Sequence, residues 1–127
     1  MDPILILLVE DDPFMRKLLM KVLEAHGHKV TVAVDGLEGL RLAREVKPDI
    51  IVLDVMLPKM DGHKVCRILK SDPRSKAIPI ILHTTQMGEQ EERIAKEVGS
   101  DAFVVKNNTL TELLNVIQEL TSKRSLK

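Results

Sequence analysis

One cysteine, no tryptophan, no tyrosine and only two phenylalanines stand among the 127 residues of this chain. Cys66 alone cannot form an intramolecular disulfide, which fits a reducing compartment, and a cytoplasmic location is expected. So few aromatics leave little on which to stack bases, sugars or flavins. An excess of one charge is missing too: 19 Lys+Arg offset 19 Asp+Glu. No dense Lys/Arg stripe restores a basic footprint, so direct nucleic-acid binding is not expected. The longest apolar run, Ile4 to Val9, is far short of the ~20 residues of a membrane span, and Met1, Asp2 and Pro3 are no signal-peptide n-region. What is present is a hydrophobic content of 44%, enough for one soluble domain that buries roughly two thirds of its unfolded surface without disulfides or structural metal.

Ile4 to Val9 is a continuous apolar run of strand length, as expected of a strand buried on both faces of a parallel sheet. Similar runs recur at Lys29 to Val34, Asp49 to Val55, Pro79 to Thr84 and Ala102 to Lys106. Between them, apolar residues at three and four spacing predict helices: Phe14, Leu18, Val22; Leu37, Leu40, Ala43; Val65, Ile68, Leu69; Ile94, Val98; and Leu110, Leu113, Leu114, Ile117, Leu120. Asp12 before Pro13 has the form of an N-cap with proline at N1, and Gly27 ends that helix. Asp35 with Glu38, and Thr109 with Glu112, have capping-box spacing. Fivefold alternation of strand and helix implies a right-handed (βα)5 doubly wound α/β fold with a five-stranded parallel sheet. The domain is expected to run over 1–121. The polar, basic stretch from Ser122 to Lys127 is either a frayed end or the start of a linker.

In open sheets of this kind the ligand lies beyond the carboxyl ends of the strands. Those ends carry Glu10, Asp11 and Asp12 after the first strand, Asp54 after the third, Thr84 and Thr85 after the fourth, and Lys106 after the fifth. Read alone, an acidic cluster such as Glu10 to Asp12 is an ordinary solvated helix start. Carboxylates converging on one edge call for a cation, and an all-oxygen set suits Mg²⁺, which leaves room for a phosphate oxygen. A lysine and a threonine hydroxyl beside it would contact that phosphate. An aspartate so placed is a competent nucleophile toward a phosphoryl group, and Asp54, at the centre of the sheet, is the candidate.

The segments LILLVEDD, DIIVLDVMLPKMDG, IPIILHTT and GSDAFVVK, in this order and spacing, together resemble the receiver domain of two-component response regulators, of the stand-alone, chemotaxis-regulator kind, from Ile4 to about Leu120. The resemblance implies a flavodoxin-like sheet of strand order 2-1-3-4-5. It implies Asp54 as the site of phosphorylation by a histidine kinase or phosphotransfer protein. Mg²⁺ would be held by Asp11 directly, by Glu10 through water, by Asp54 and by the backbone carbonyl of Met56. Thr84 is then the switch hydroxyl, Lys106 the phosphate-binding lysine and Phe103 the aromatic switch. Phosphorylation would draw Thr84 and Lys106 inward, let Phe103 fill the vacated space, and alter the face formed by the fourth helix, fifth strand and fifth helix. An unidentified output protein would read that face, through which a second copy would also pair. With no effector module after the fifth helix, output by protein contact is expected, and no enzymatic activity beyond self-phosphorylation and self-dephosphorylation.

Three positions depart from the family's usual pattern. Asn107 follows Lys106 where proline with a cis bond is common, and a cis bond before a non-proline residue costs about 3 kcal/mol. Thr85 stands where alanine is usual and would crowd Asp54; His83 replaces an apolar residue. Elsewhere, Asp12 is expected to act only as a cap and Cys66 as a small buried hydrophobe. His26, His28 and His63 lack metal-ligand spacing. Gly36 and Gly39 belong to a helix start, not a dinucleotide loop, and Gly62 is expected to permit the turn out of the Asp54 loop. Two other classes fit less well. A flavodoxin-like cofactor binder would need its first loop to cradle phosphate, which Glu10 to Asp12 would repel. A haloacid-dehalogenase-like phosphatase would need an acid at Met56. A receiver that only docks partners and no longer cycles phosphate remains a third alternative.

Overall fold

The computed structural model describes residues 3–106 and 110–125, with side chains through residue 122. Strands and helices alternate: β1 Leu5–Val9, α1 Pro13–Ala25, β2 Lys29–Ala33, α2 Gly36–Val46, β3 Ile50–Leu53, α3 Gly62–Ser71, β4 Ile80–Thr84, α4 Glu89–Glu97, β5 Ala102–Val105 and α5 Thr111–Ser125. The strands form one parallel sheet in the order β2-β1-β3-β4-β5. Val9 pairs with Leu53 and Leu53 with Leu82, which brings the carboxyl ends of β1, β3 and β4 level. β3 lies at the centre, as expected.

The apolar runs are continuous because both sheet faces are covered. On one face Leu7, Val9, Leu53 and Leu82 pack with Ala43 of α2, Val65 and Leu69 of α3 and Ala95 of α4. On the other, Ile6, Leu8, Val52 and Ile81 pack with Leu19 and Leu23 of α1 and Leu113 and Ile117 of α5. Cys66 is wholly buried in the first layer, where desolvation pushes its thiol up to about 12.

Local signals place the helix ends. Asp12 accepts from Phe14 N–H at 3.3 Å ahead of Pro13, and Gly27 follows α1 with φ 87°. Asp35 caps α2 through Glu38 N–H at 2.8 Å. The return bond differs from a capping box, since Glu38 Oε1 takes the N–H of Val34. Thr109 lies outside the described residues. A further cap, Asp61 to Lys64 N–H at 3.0 Å, starts α3. The strands are each shorter than the apolar runs: Ile4, Val34, Asp49, Asp54, Val55, Pro79 and Lys106 flank them. α5 continues through Ser122 to Ser125, so the helix carries on where the sequence turns polar. Thr121, which is buried, bonds back to Ile117 O at 2.7 Å, and a helix already nucleated extends over polar residues at little cost.

One buried group is at odds with its layer. His83 of β4 is 2% exposed and its Nδ1 has no hydrogen-bond partner. Burial, with Lys106⁺ nearby, lowers its pKa from 6.5 to about 4. It is therefore neutral at pH 7 in the fold, while the unfolded chain takes up a proton near 6.5.

Two measurements check this packing. Leu53 is fully buried and Phe14 is 75% exposed, so urea unfolding should show Leu53→Ala losing roughly 3 kcal/mol and Phe14→Ala less than about 0.5. Because His83 has a depressed folded pKa, its stabilising influence is complete above pH 6.5 and is lost as pH falls toward 4. Between pH 7 and pH 5 the wild type should lose about 2 kcal/mol more stability than His83→Val. Parallel pH profiles for the two proteins would remove His83 from the acid response.

Candidate functional site

The strand ladders extend one residue beyond the strands, and this fixes the site. Glu10 N–H donates to Ala33 O at 3.0 Å, Asp54 N–H to Val9 O at 3.0 Å and Lys106 N–H to Thr84 O at 2.7 Å. Each functional side chain thus leaves a backbone tied to the neighbouring strand. Glu10, Asp11 and Asp54 offer carboxylate oxygens within 4.8 Å of one another. Lys106 Nζ joins two of them, at 2.6 Å from Glu10 Oε1 and 2.9 Å from Asp54 Oδ2. The second oxygen of Asp54 accepts Met56 N–H at 3.2 Å, and that of Glu10 accepts Asp12 N–H at 3.2 Å.

Glu10 is 1% and Asp54 7% exposed, whereas Asp11 is exposed. Burial raises the Glu10 pKa, against the pull of the Lys106 ammonium. For Lys106 burial works toward loss of the proton, but the hydrogen bonds and charges of Glu10 and Asp54 outweigh it and raise the pKa. One ammonium facing three carboxylates leaves a negative excess in a partly desolvated place. That donor set, hard and all-oxygen, fits a divalent cation such as Mg²⁺.

Asp12 lies outside this trio and acts as a cap, as expected. Thr84 is fully buried, and its Oγ1 accepts Gln86 N–H at 3.3 Å. Strand alternation sets the face on which it lies. Leu53 and Leu82 share one face, which turns Asp54 and His83 to the other and returns Thr84 to the first. Thr85 is exposed. Phe103 is half-buried against the first core layer and lines a 230 Å³ cavity with Ala95, Lys96 and Ser100, between α4 and β5. The peptide bond from Lys106 to Asn107 lies outside the described residues.

One role emerges only in three dimensions. Arg16 of α1 donates to Glu10 O at 2.9 Å and Asp11 O at 3.2 Å, clamping the turn that presents both carboxylates. Its position one helical turn beyond the acidic run is the only trace in the sequence. Gly62 serves the Asp54 loop by contact: a Cβ there would stand 2.0 Å from Asp54 O. The left-handed residue of that loop is Lys59, with φ 70°.

Comparison with known proteins gives the same architecture. The model of the response regulator receiver domain matches residues 6–118. The transcriptional regulatory protein AfsQ1 of Streptomyces coelicolor is 45% identical over 101 residues, 80% of this chain and 44% of that protein. Protein PilH of Pseudomonas aeruginosa is 35% identical over 115 residues, 88% of this chain and 95% of that protein. The chain therefore spans less than half of the first relative and nearly all of the second. Among solved structures, the receiver domain of sensor histidine kinase PA1611 from Pseudomonas aeruginosa, with a magnesium ion coordinated in its active-site cleft, superposes with a TM-score of 0.87. It is 26% identical, with 95% of this chain and 99% of that one covered. With the strand order, the edge carboxylates and the lysine in place, the chain belongs to the receiver domains of two-component response regulators.

Proposed function

We propose that this domain is a phosphorylation-controlled switch in which Asp54 accepts a phosphoryl group from a histidine kinase or phosphotransfer protein and signals to an output protein. The observation that carries the proposal is the Lys106 ammonium 2.9 Å from Asp54, inside an acidic trio with one exposed member. Glu10, Asp11, Asp54 and the Met56 carbonyl would hold Mg²⁺. When bound, it supplies positive charge against the phosphoryl oxygens and so lowers repulsion between them and the attacking carboxylate.

The chain's own residues do the rest. An Asp54 carboxylate oxygen forms a bond to phosphorus while the bond from phosphorus to the donor's imidazole nitrogen breaks, and that nitrogen keeps the electron pair. Lys106, already held protonated between Glu10 and Asp54, moves its contact to a phosphoryl oxygen. The ladder bonds under Glu10, Asp54 and Lys106 keep all three oriented without reorganisation of the backbone. The charge at position 54 grows from −1 to about −2. Thr84 then exchanges its role as acceptor from Gln86 for donation to the phosphoryl group. Phe103 follows into the space beside it, changing the surface of α4, β5 and α5. Differential contact of several kcal/mol is needed to shift such a switch from mostly off to mostly on, and partner binding shares it with the phosphoryl contacts. Chemistry is confined to gain and loss of this one phosphoryl group, with no other substrate turned over. We read the domain as cytoplasmic, in keeping with a lone, buried thiol.

Incubation with Mg²⁺ and a small acyl phosphate, followed by intact mass, should give one labile phosphoryl adduct. Asp54→Asn should give none, a chelator should abolish it, and Lys106→Met should slow it by on the order of 10²-fold. An adduct that persists in Asp54→Asn, or no adduct with any donor, would sink the proposal, the latter in favour of a docking-only domain.

A further inference from the structure

The loop that carries Met56, residues 55–61, is held at its ends by its own contacts: Met56 N–H to Asp54 Oδ1 at 3.2 Å and Gly62 N–H to Val55 O at 2.8 Å. Its middle is held from outside, by the turn between β2 and α2. Gly36 N–H donates to Pro58 O at 3.2 Å, and the same oxygen accepts Met60 N–H at 2.8 Å. Lys59 reaches Asp35 Oδ2 at 3.5 Å, while the other oxygen of Asp35 caps α2. A Cβ on Gly36 would stand 1.8 Å from Met60 O and 2.7 Å from its carbonyl carbon. These are backbone atoms, so a side chain at Gly36 must push the loop away. Gly36 opens a helix with no left-handed φ, where alanine would be the better helix former by up to about 1 kcal/mol. The glycine therefore answers a need for contact, not for conformation.

We propose that Gly36 is a positioning residue for the divalent cation: the β2–α2 turn is the wall on which the Met56 loop is seated, and filling Gly36 weakens metal binding without removing a ligand. This rests on the assignment of the Met56 carbonyl as a ligand. In this assignment the turn supplies no ligand and acts only by fixing the loop.

Calorimetric titration of the full chain with Mg²⁺, alongside melting of the metal-free protein by circular dichroism, tests this. Gly36→Ala should raise the Mg²⁺ dissociation constant tenfold or more, and its acyl phosphate labelling should recover at saturating Mg²⁺. The control is Gly39→Ala, whose Cβ would press on Val9 side-chain carbons at 2.9 Å and 3.0 Å and so strains α2 against β1, away from the loop. It should lower the melting temperature yet keep the dissociation constant within twofold. Wild-type affinity in Gly36→Ala, or an equal loss in Gly39→Ala, overturns the positioning role. If Gly36→Ala does not fold, Lys59→Ala releases the Asp35 side of the same contact from an exposed position. Seating predicts two- to threefold weaker binding there, although loss of a positive charge alone would tighten it; unchanged or tighter binding overturns the proposal. A wild-type chain that binds no Mg²⁺, or binds it as well as Asp11→Asn does, would instead overturn the metal site of the proposed function itself.

Discussion

The Lys106 ammonium, held between Glu10 and Asp54 at hydrogen-bond distance, is the contact on which the carboxyl edge of the sheet depends. Two carboxylates almost wholly removed from water, on strands that pair side by side, would repel and lose hydration together. A single cation reaching from the far side of β4 offsets that repulsion. The arrangement is poised and not saturated: the third carboxylate, Asp11, stands exposed beside the pair, and the excess of negative charge it creates is what a divalent ion would relieve. Removal of one partner from such a buried set leaves an uncompensated charge, which is why ion pairs of this kind are better understood as constraints on function than as sources of stability.

The sheet turns that electrostatic requirement into geometry. Each member of the Glu10, Asp54 and Lys106 set sits one residue past a strand, yet its amide still donates to the adjacent strand. The side chains are free to point beyond the edge while their backbones are as fixed as the core. Below them, two apolar layers cover both faces and leave no slack for a strand to slide by one residue, since such a slip would exchange the faces of Leu53 and Asp54. Above them, the turns are mobile in principle but tied in fact, by Arg16 on one side and the Asp35–Gly36 turn on the other.

Much of this was legible in the sequence, for physical reasons that differ by residue. The five apolar runs mark strands because a doubly covered parallel sheet tolerates few polar residues, and Asp12 with Pro13 marks a helix start because both satisfy the same first turn. The convergence of Glu10, Asp11, Asp54 and Lys106 followed from the rule that strand ends gather at one edge. The apolar runs overstate the strand lengths, because residues such as Asp49 and Asp54 keep ladder bonds without belonging to the strand proper. The Asp61 cap has no signature in the sequence, since no acidic residue follows it at capping-box spacing. Arg16 could not be assigned from spacing, because it acts through a long side chain folded back over a turn, whereas the tie of Gly62 to the Asp54 loop is expected from the sequence and works through the close approach of two backbones. The face on which Thr84 lies is a matter of strand parity, which a list of residues at one edge does not carry.

Cys66 has a consequence of a different kind. With its thiol buried in the layer under α3 and shifted to about 12, only about one molecule in 10⁵ would carry a thiolate at neutral pH, and the thiolate is the form that oxidants and electrophiles attack. The chain's one thiol is therefore poorly placed to take part in disulfide exchange. Any cysteine introduced on its surface would be the sole point at which a thiol-directed label attaches.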